Sequence, residues 1–77
     1  MRQAGVSVAF SMHVETQWGD TAVVVGSTPE LGEWIPERGL HMSTSDSLYP
    51  RWDAHLVVHA ASVEYKLVII RADGAVQ

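Results

Sequence analysis

The 77-residue sequence contains no cysteine, few basic residues and no long apolar run. Without cysteine, neither a disulfide framework nor a thiolate metal site is available. Five Lys and Arg against nine Asp and Glu give a formal net charge of −4, the wrong sign for holding a phosphate backbone. The stretches AVVV and LVII fall far short of a membrane span, and MRQAGVSVAF lacks the apolar centre of a signal peptide. We therefore expect no nucleic-acid or membrane partner, while the compartment stays open.

Hydrophobic residues recur at every second position through most of the chain. In VSVAFSMHV the apolar residues alternate with small or polar ones, as in a half-buried strand. TAVVVG predicts a second strand that forms a hairpin with the first, and a short strand begins at Leu40. WDAHLVVH and VEYKLVII predict two further strands, and RADG turns the chain toward another strand that opens at AVQ. Short strands separated by turns predict an all-β antiparallel sandwich.

The same alternation assigns two aromatic residues to the core. Trp52 shares its strand face with the apolar residues two, four and six positions later, so its predicted role is packing. Tyr65 lies on the apolar face of the following strand, which predicts a core position with the hydroxyl at the margin. Neither is expected to contact a ligand.

Three motifs follow one another in a recognisable order: VVVGSTPELGEW, a Trp that opens a later strand, and VEYKLVI with a DG turn. This order resembles carbohydrate-binding module family 20, the starch-binding domains, from about Val6 to Gln77. The resemblance implies one immunoglobulin-like β-sandwich over residues 1–77 that binds starch, glycogen or maltooligosaccharides without catalysis. Family members continue with a second tryptophan and further strand, so the resemblance implies a C-terminally truncated domain without its closing strands. Such an open edge would favour a strand-exchanged dimer.

By the same resemblance, four residues take part in binding. Trp34 matches the first stacking position of the family's first site, and Lys66 matches its hydrogen-bonding lysine. Trp18, directly before a turn glycine, matches a stacking aromatic of the second site, with Tyr49 as the other aromatic. The chemistry fits these residue types, because a glucose ring presents a face of C–H bonds that a rigid indole covers well. An ammonium group donates hydrogen bonds to the hydroxyls at the ring edge.

The residues alone leave a second interpretation open. Large aromatic side chains are mostly buried, so Trp34 could pack on the end of the sandwich and Trp18 could fold back over its own strands. Lys66 would then be a solvated charge, and the chain would be an immunoglobulin-like protein-interaction module without a sugar site. Solvent exposure of the two tryptophans discriminates between these functions.

No catalytic, metal or cofactor site is predicted. A 77-residue sandwich leaves little room for a glycosidase cleft, and most of its acids fall in turns or on solvent-facing strand positions. His55 and His59 share a strand face, yet at roughly 3.3 Å per residue they lie about 13 Å apart, too far to chelate one ion together. The expected function is noncatalytic: the domain holds a larger starch- or glycogen-active protein on its polysaccharide.

Overall fold

The computed structural model describes residues 5–60 and 62–76, which form five β-strands and two short 3-10 segments. The strands are β1 (Val6–His13), β2 (Thr21–Gly26), β3 (Leu40–His41), β4 (Arg51–Val58) and β5 (Tyr65–Ile70). The 3-10 segments, Pro29–Trp34 and Pro36–Arg38, connect β2 to β3. Within the described ranges, no helix is long and apolar enough to cross a membrane.

The strands form two antiparallel sheets. β1 pairs with β4, from Val6 opposite Val58 to His13 opposite Arg51. The second sheet has the order β3–β2–β5, so β2 is its central strand. The all-β fold is confirmed, but the predicted β1–β2 hairpin is wrong. Residues 22–26 of β2 are all buried, as expected for a strand that is covered on both faces at the centre of a sheet. β1 pairs instead with β4, which lies much further along the chain.

The core lies between the two sheets. Its buried residues come from both sheets and from the loop after β2: Phe10, Ala22, Val24, Leu31, Met42 and Trp52. Trp52 is 7% exposed, which confirms its predicted packing role. Val23 and Val25 face the other side of the central strand, where the backbone at Gly39 approaches them closely. The 3-10 segments pack on β2, where Leu31 joins the core cluster and the backbone at Gly39 lies against Val23 and Val25.

One expectation near the end of the chain needs correction, and another is met only at its first pairing. Tyr65 faces the core side and meets Phe10 edge to face, with 5.1 Å between the ring centroids, but its side chain is exposed rather than buried. It starts β5 opposite Gly26, which offers no side chain to cover it. The strand expected at AVQ is represented by a single bridge between Ile70 and Val76, and Gln77 lies outside the described residues.

Candidate functional site

A cleft of about 590 Å³ opens where the β1–β2 connection meets the loop before β4. It is lined by residues 16–21, by residues 44–46 and by Tyr49 and Trp52. The structure thus brings together Trp18 and Tyr49, two of the four predicted site residues. The cleft combines these aromatic rings with hydroxyl, amide and carboxylate side chains, which suits a ligand with an apolar face and a polar edge.

Trp18 projects into solvent from a tight turn. Its side chain is 98% exposed, so the indole does not fold back over its own strands. The turn is closed by a hydrogen bond from the Asp20 amide to the Gln17 carbonyl (3.0 Å), and Gly19 adopts a left-handed conformation with φ of 89°. A Cβ at Gly19 would lie 2.7 Å from the Cβ of Ala72, so the glycine lets the turn lie directly on that residue.

Asp20 fixes the base of this turn. Its side chain is 3% exposed, and its Oδ2 accepts hydrogen bonds from the Gln17 amide (2.9 Å) and from Nη1 of Arg71 (2.6 Å). The Ala72 amide donates to Oδ1 at 3.3 Å. The bond from the Gln17 amide, followed by Arg71, lowers the pKa of the Asp20 carboxyl, so the group is ionised near neutral pH. Sequence reasoning missed this residue.

Tyr49 joins the opposite wall of the cleft to the end of β1. Its hydroxyl accepts a hydrogen bond from the Thr16 amide (2.7 Å) and donates one to the Thr16 carbonyl (2.9 Å). The Tyr49 amide donates to the Ser45 carbonyl at 2.8 Å, which closes the loop that carries the ring. With its hydroxyl engaged by the backbone, the exposed side chain has its ring available for contact with a ligand.

Trp34 ends the first 3-10 segment in an unusual backbone. Gly32, Glu33 and Trp34 have φ values of 77°, 50° and 70°, all left-handed. The buried Leu31 anchors this loop on the core, while Trp34 is 45% exposed. A Cβ at Gly32 would lie 2.5 Å from the Arg38 carbonyl, so this position requires glycine. At Gly26 the absence of a side chain allows close contact with Leu31.

Trp34 and Lys66 both lie outside the cleft that Trp18 and Tyr49 line. The segment carrying Trp34 packs on β2, and the exposed Lys66 lies on β5 opposite Val25 of β2. Both residues therefore belong to the three-stranded sheet, away from the β1–β2 turn. Among residues 5–60 and 62–76, no group of three or more His, Asp or Glu side chains is placed to hold a metal ion.

Comparison with known proteins gives consistent matches. The chain matches the family model described as "Starch binding domain" over residues 5–77. It is 36% identical to a glucoamylase of Neurospora crassa over 94% of this chain and 12% of that enzyme. It is 39% identical to an alpha-amylase of Thermomonospora curvata over 82% of this chain and 11% of that enzyme.

Among solved structures, the glycoside hydrolase family 15 glucoamylase from Hypocrea jecorina superimposes with a TM-score of 0.84 and 29% identity. The match covers 100% of this chain and 14% of the glucoamylase chain. The chain thus spans a small part of each of these longer enzymes. Because the family model extends over both sheets and both tryptophan loops, the chain belongs to the starch binding domain family.

Proposed function

We propose that this chain binds α-glucan chains of the starch and glycogen type, and their maltooligosaccharide fragments, by stacking glucose rings on Trp18 and Trp34. Membership of the family makes starch-type polysaccharide the partner class. The single observation that carries the residue-level proposal is the 98% exposure of Trp18 at the rim of a cleft. A fully exposed indole at the rim of a cleft presents its whole apolar face to a ligand, and a sugar ring that covers it removes that area from water.

The cleft supplies both kinds of contact that a glucose ring needs. The indole of Trp18 and the ring of Tyr49 offer apolar faces to its C–H bonds. Hydroxyls of Thr44 and Ser45 and the carboxylate of Asp46 lie among the same lining residues and suit the sugar hydroxyls, directly or through water. This arrangement supports the proposal that Trp18 and Tyr49 act together at one site.

Trp34 and Lys66 are proposed as a second site on the three-stranded sheet. Trp34 is half exposed on a loop whose left-handed backbone is fixed by Gly32 and by the buried Leu31. A rigid, partly exposed indole loses little entropy when a sugar ring covers it. Lys66 is exposed on β5 and carries three donors for hydroxyl oxygens.

The wider role follows from how the chain relates to longer proteins. Its matches cover 12% of a glucoamylase and 11% of an alpha-amylase, and the matched residues of this chain are those of the starch binding domain family model. We propose that the domain is noncatalytic and holds a larger protein on polysaccharide. The family match does not favour the alternative of a protein-interaction module without a sugar site.

The proposed partners are limited to carbohydrate and a second copy of the chain. The net charge of −4 supports the absence of a nucleic-acid partner. In the described three-stranded sheet β5 lies at an edge, and an edge strand is the position at which another chain can pair with the sheet. Sedimentation at increasing concentration tests strand pairing between copies, which would appear as a dimer.

A fluorescence titration with β-cyclodextrin tests the proposal. One or two solvent-exposed stacks should give a dissociation constant on the order of 10 μM to 1 mM. Trp18→Ala and Trp34→Ala should each weaken binding, and the double variant should bind more weakly than either while remaining folded by circular dichroism. Unchanged affinity in the double variant would contradict the proposed sites, and no binding by the unaltered chain at millimolar ligand would contradict the function itself.

A further inference from the structure

The orientation of the Trp18 indole depends on its backbone. Because the side chain is 98% exposed, protein contacts contribute almost nothing to holding the ring. A stacking platform nevertheless binds best when its orientation is fixed before the ligand arrives, since each loose side chain lowers affinity when it becomes ordered. Whatever fixes the turn beneath Trp18 therefore contributes to binding.

The turn is tethered to the segment that follows β5. The Asp20 carboxylate accepts a hydrogen bond from the Gln17 amide within the turn. It also accepts hydrogen bonds from Arg71 and from the Ala72 amide, which lie about fifty residues further along the chain. The Asp20 side chain is 3% exposed and that of Arg71 is 30% exposed, so the carboxylate side of the ion pair is largely covered by protein. One carboxylate thus closes the turn locally and ties it to the body of the sandwich.

The second anchor is a close contact of the backbone. Gly19, the residue after Trp18, lies so near Ala72 that a Cβ would approach the Ala72 Cβ to 2.7 Å. The segment beneath it is itself a closed turn, with hydrogen bonds from the Arg71 amide to the Ala75 carbonyl (2.7 Å) and from the Gly74 amide to the Arg71 carbonyl (2.8 Å). The turn therefore rests on a structured support.

We infer that Asp20 is a positioning residue for glucan binding: its buried carboxylate holds the Trp18 turn on the Arg71–Ala72 segment and so fixes the indole beside Tyr49. Asp20 does not need to touch the sugar. This inference rests on the proposed function of the Trp18 cleft. Loss of the tether should leave the turn able to form but free to move, which would weaken stacking by roughly 3- to 10-fold, the cost of immobilising one or two side chains.

The test uses the whole chain with Trp34→Ala, which removes the other proposed platform. In this background Asp20→Asn keeps the shape and one oxygen acceptor but loses the charge that pairs with Arg71. Asp20→Ser keeps an acceptor for the Gln17 amide and is too short to reach Arg71. Asp53→Asn is the matched control, because it removes the Arg51–Asp53 ion pair (3.1 Å), which lies outside the cleft.

Two measurements are made on each variant: β-cyclodextrin affinity and the heteronuclear NOE of the 15N-labelled Trp18 indole. We expect Asp20→Asn and Asp20→Ser each to weaken affinity 3- to 10-fold and to lower the NOE of the indole. Asp53→Asn should change neither quantity. In a Trp18→Ala background that retains Trp34, Asp20→Asn should leave affinity unchanged, a result that a general structural defect would not give.

The outcomes separate the inference from the function beneath it. If Trp18→Ala weakens binding in the Trp34→Ala background, yet both Asp20 variants bind normally with an unchanged NOE, the positioning role is refuted and the cleft remains a binding site. If Trp18→Ala has no effect in that background, the proposed cleft fails and the positioning role fails with it. Should Asp20→Asn not fold, the comparison of Asp20→Ser with Asp53→Asn decides.

Discussion

Replacing Trp18 and Trp52 by alanine, one at a time, should have opposite effects on binding and on stability. The two side chains line the same cleft, but Trp18 is 98% exposed and Trp52 is 7% exposed. Trp52 packs with the buried residues between the sheets. The pair therefore compares two residues of one type at one place, differing mainly in burial.

The expected loss of affinity for Trp18→Ala follows from contact area. A buried Trp removes about 150–250 Å² from water, and a glucose ring on one indole face covers less than half of this, roughly 80 Å². At about 25 cal/mol per Å², the lost contact is about 2 kcal/mol, or roughly 30-fold in the dissociation constant at this cleft. The free energy of unfolding should change by less than about 0.5 kcal/mol, since the indole has no packing to lose.

Trp52→Ala should instead destabilise the fold. Removing a buried Trp costs about 3–5 kcal/mol, which is a large share of the stability of a domain this small. Thermal unfolding should therefore shift down by at least about 12 °C, or the variant should be unfolded at room temperature. Binding should fail only in proportion to the fraction unfolded.

Urea denaturation and β-cyclodextrin titration in the Trp34→Ala background measure both quantities. The reasoning is refuted if Trp18→Ala lowers stability by more than about 1 kcal/mol, because its side chain would then be packed against the protein. It is refuted equally if Trp52→Ala keeps full stability and loses affinity.

Three further predictions concern the supports of the site. Gly32→Ala should lower the free energy of unfolding in urea by at least about 3 kcal/mol, because its Cβ would lie 2.5 Å from the Arg38 carbonyl at a φ of 77°. Gly74→Ala, with a φ of 93° and open space around it, should cost about 1 kcal/mol. Equal losses would contradict the close contact at Gly32. The Asp20 pKa is lowered in the folded chain, so its contribution to stability is complete above the unfolded value of 3.8 and is lost as pH falls through the lower folded value. The melting temperature should therefore hold above about pH 5 and fall below about pH 4, and Asp20→Asn should flatten that fall; an equally steep decline would exclude the ion pair as its cause. Tyr49→Phe should cost about 1 kcal/mol by losing both hydrogen bonds to the Thr16 backbone, and an unchanged urea midpoint would show that they do not hold the loop.

The strands could be predicted from the sequence because period-two alternation is a local property. It correctly placed Trp52 in the core, where the structure leaves it 7% exposed. Pairing is not local, and the β1–β2 hairpin was the wrong choice. The sign of the correct topology was the run AVVVG, which does not alternate: residues 22–26 are all buried, as in a central strand that is covered on both faces.

Part of the candidate site could be predicted as well. The family resemblance singled out Trp18, while the residues alone left open whether its indole is exposed or packed on its own strands. Asp20 was not found, since its meaning depends on Arg71, which lies 51 residues away in the chain. Tyr49 shares the cleft with Trp18 through the hydrogen bonds between its hydroxyl and Thr16, a contact that spans 33 residues and has no local pattern.

An NMR titration of the 15N-labelled chain with maltoheptaose tests the central claim most directly, with the β-linked oligosaccharide cellohexaose as the control. The account predicts that maltoheptaose shifts resonances of residues 16–21 and 44–49 and of the Trp18 and Trp34 indoles, while the buried Trp52 indole moves least. Affinity should be on the order of 10 μM to 1 mM, and cellohexaose should bind more weakly. No shift at millimolar maltoheptaose, or equal shifts with both oligosaccharides, would contradict the claim that these exposed tryptophans form α-glucan sites.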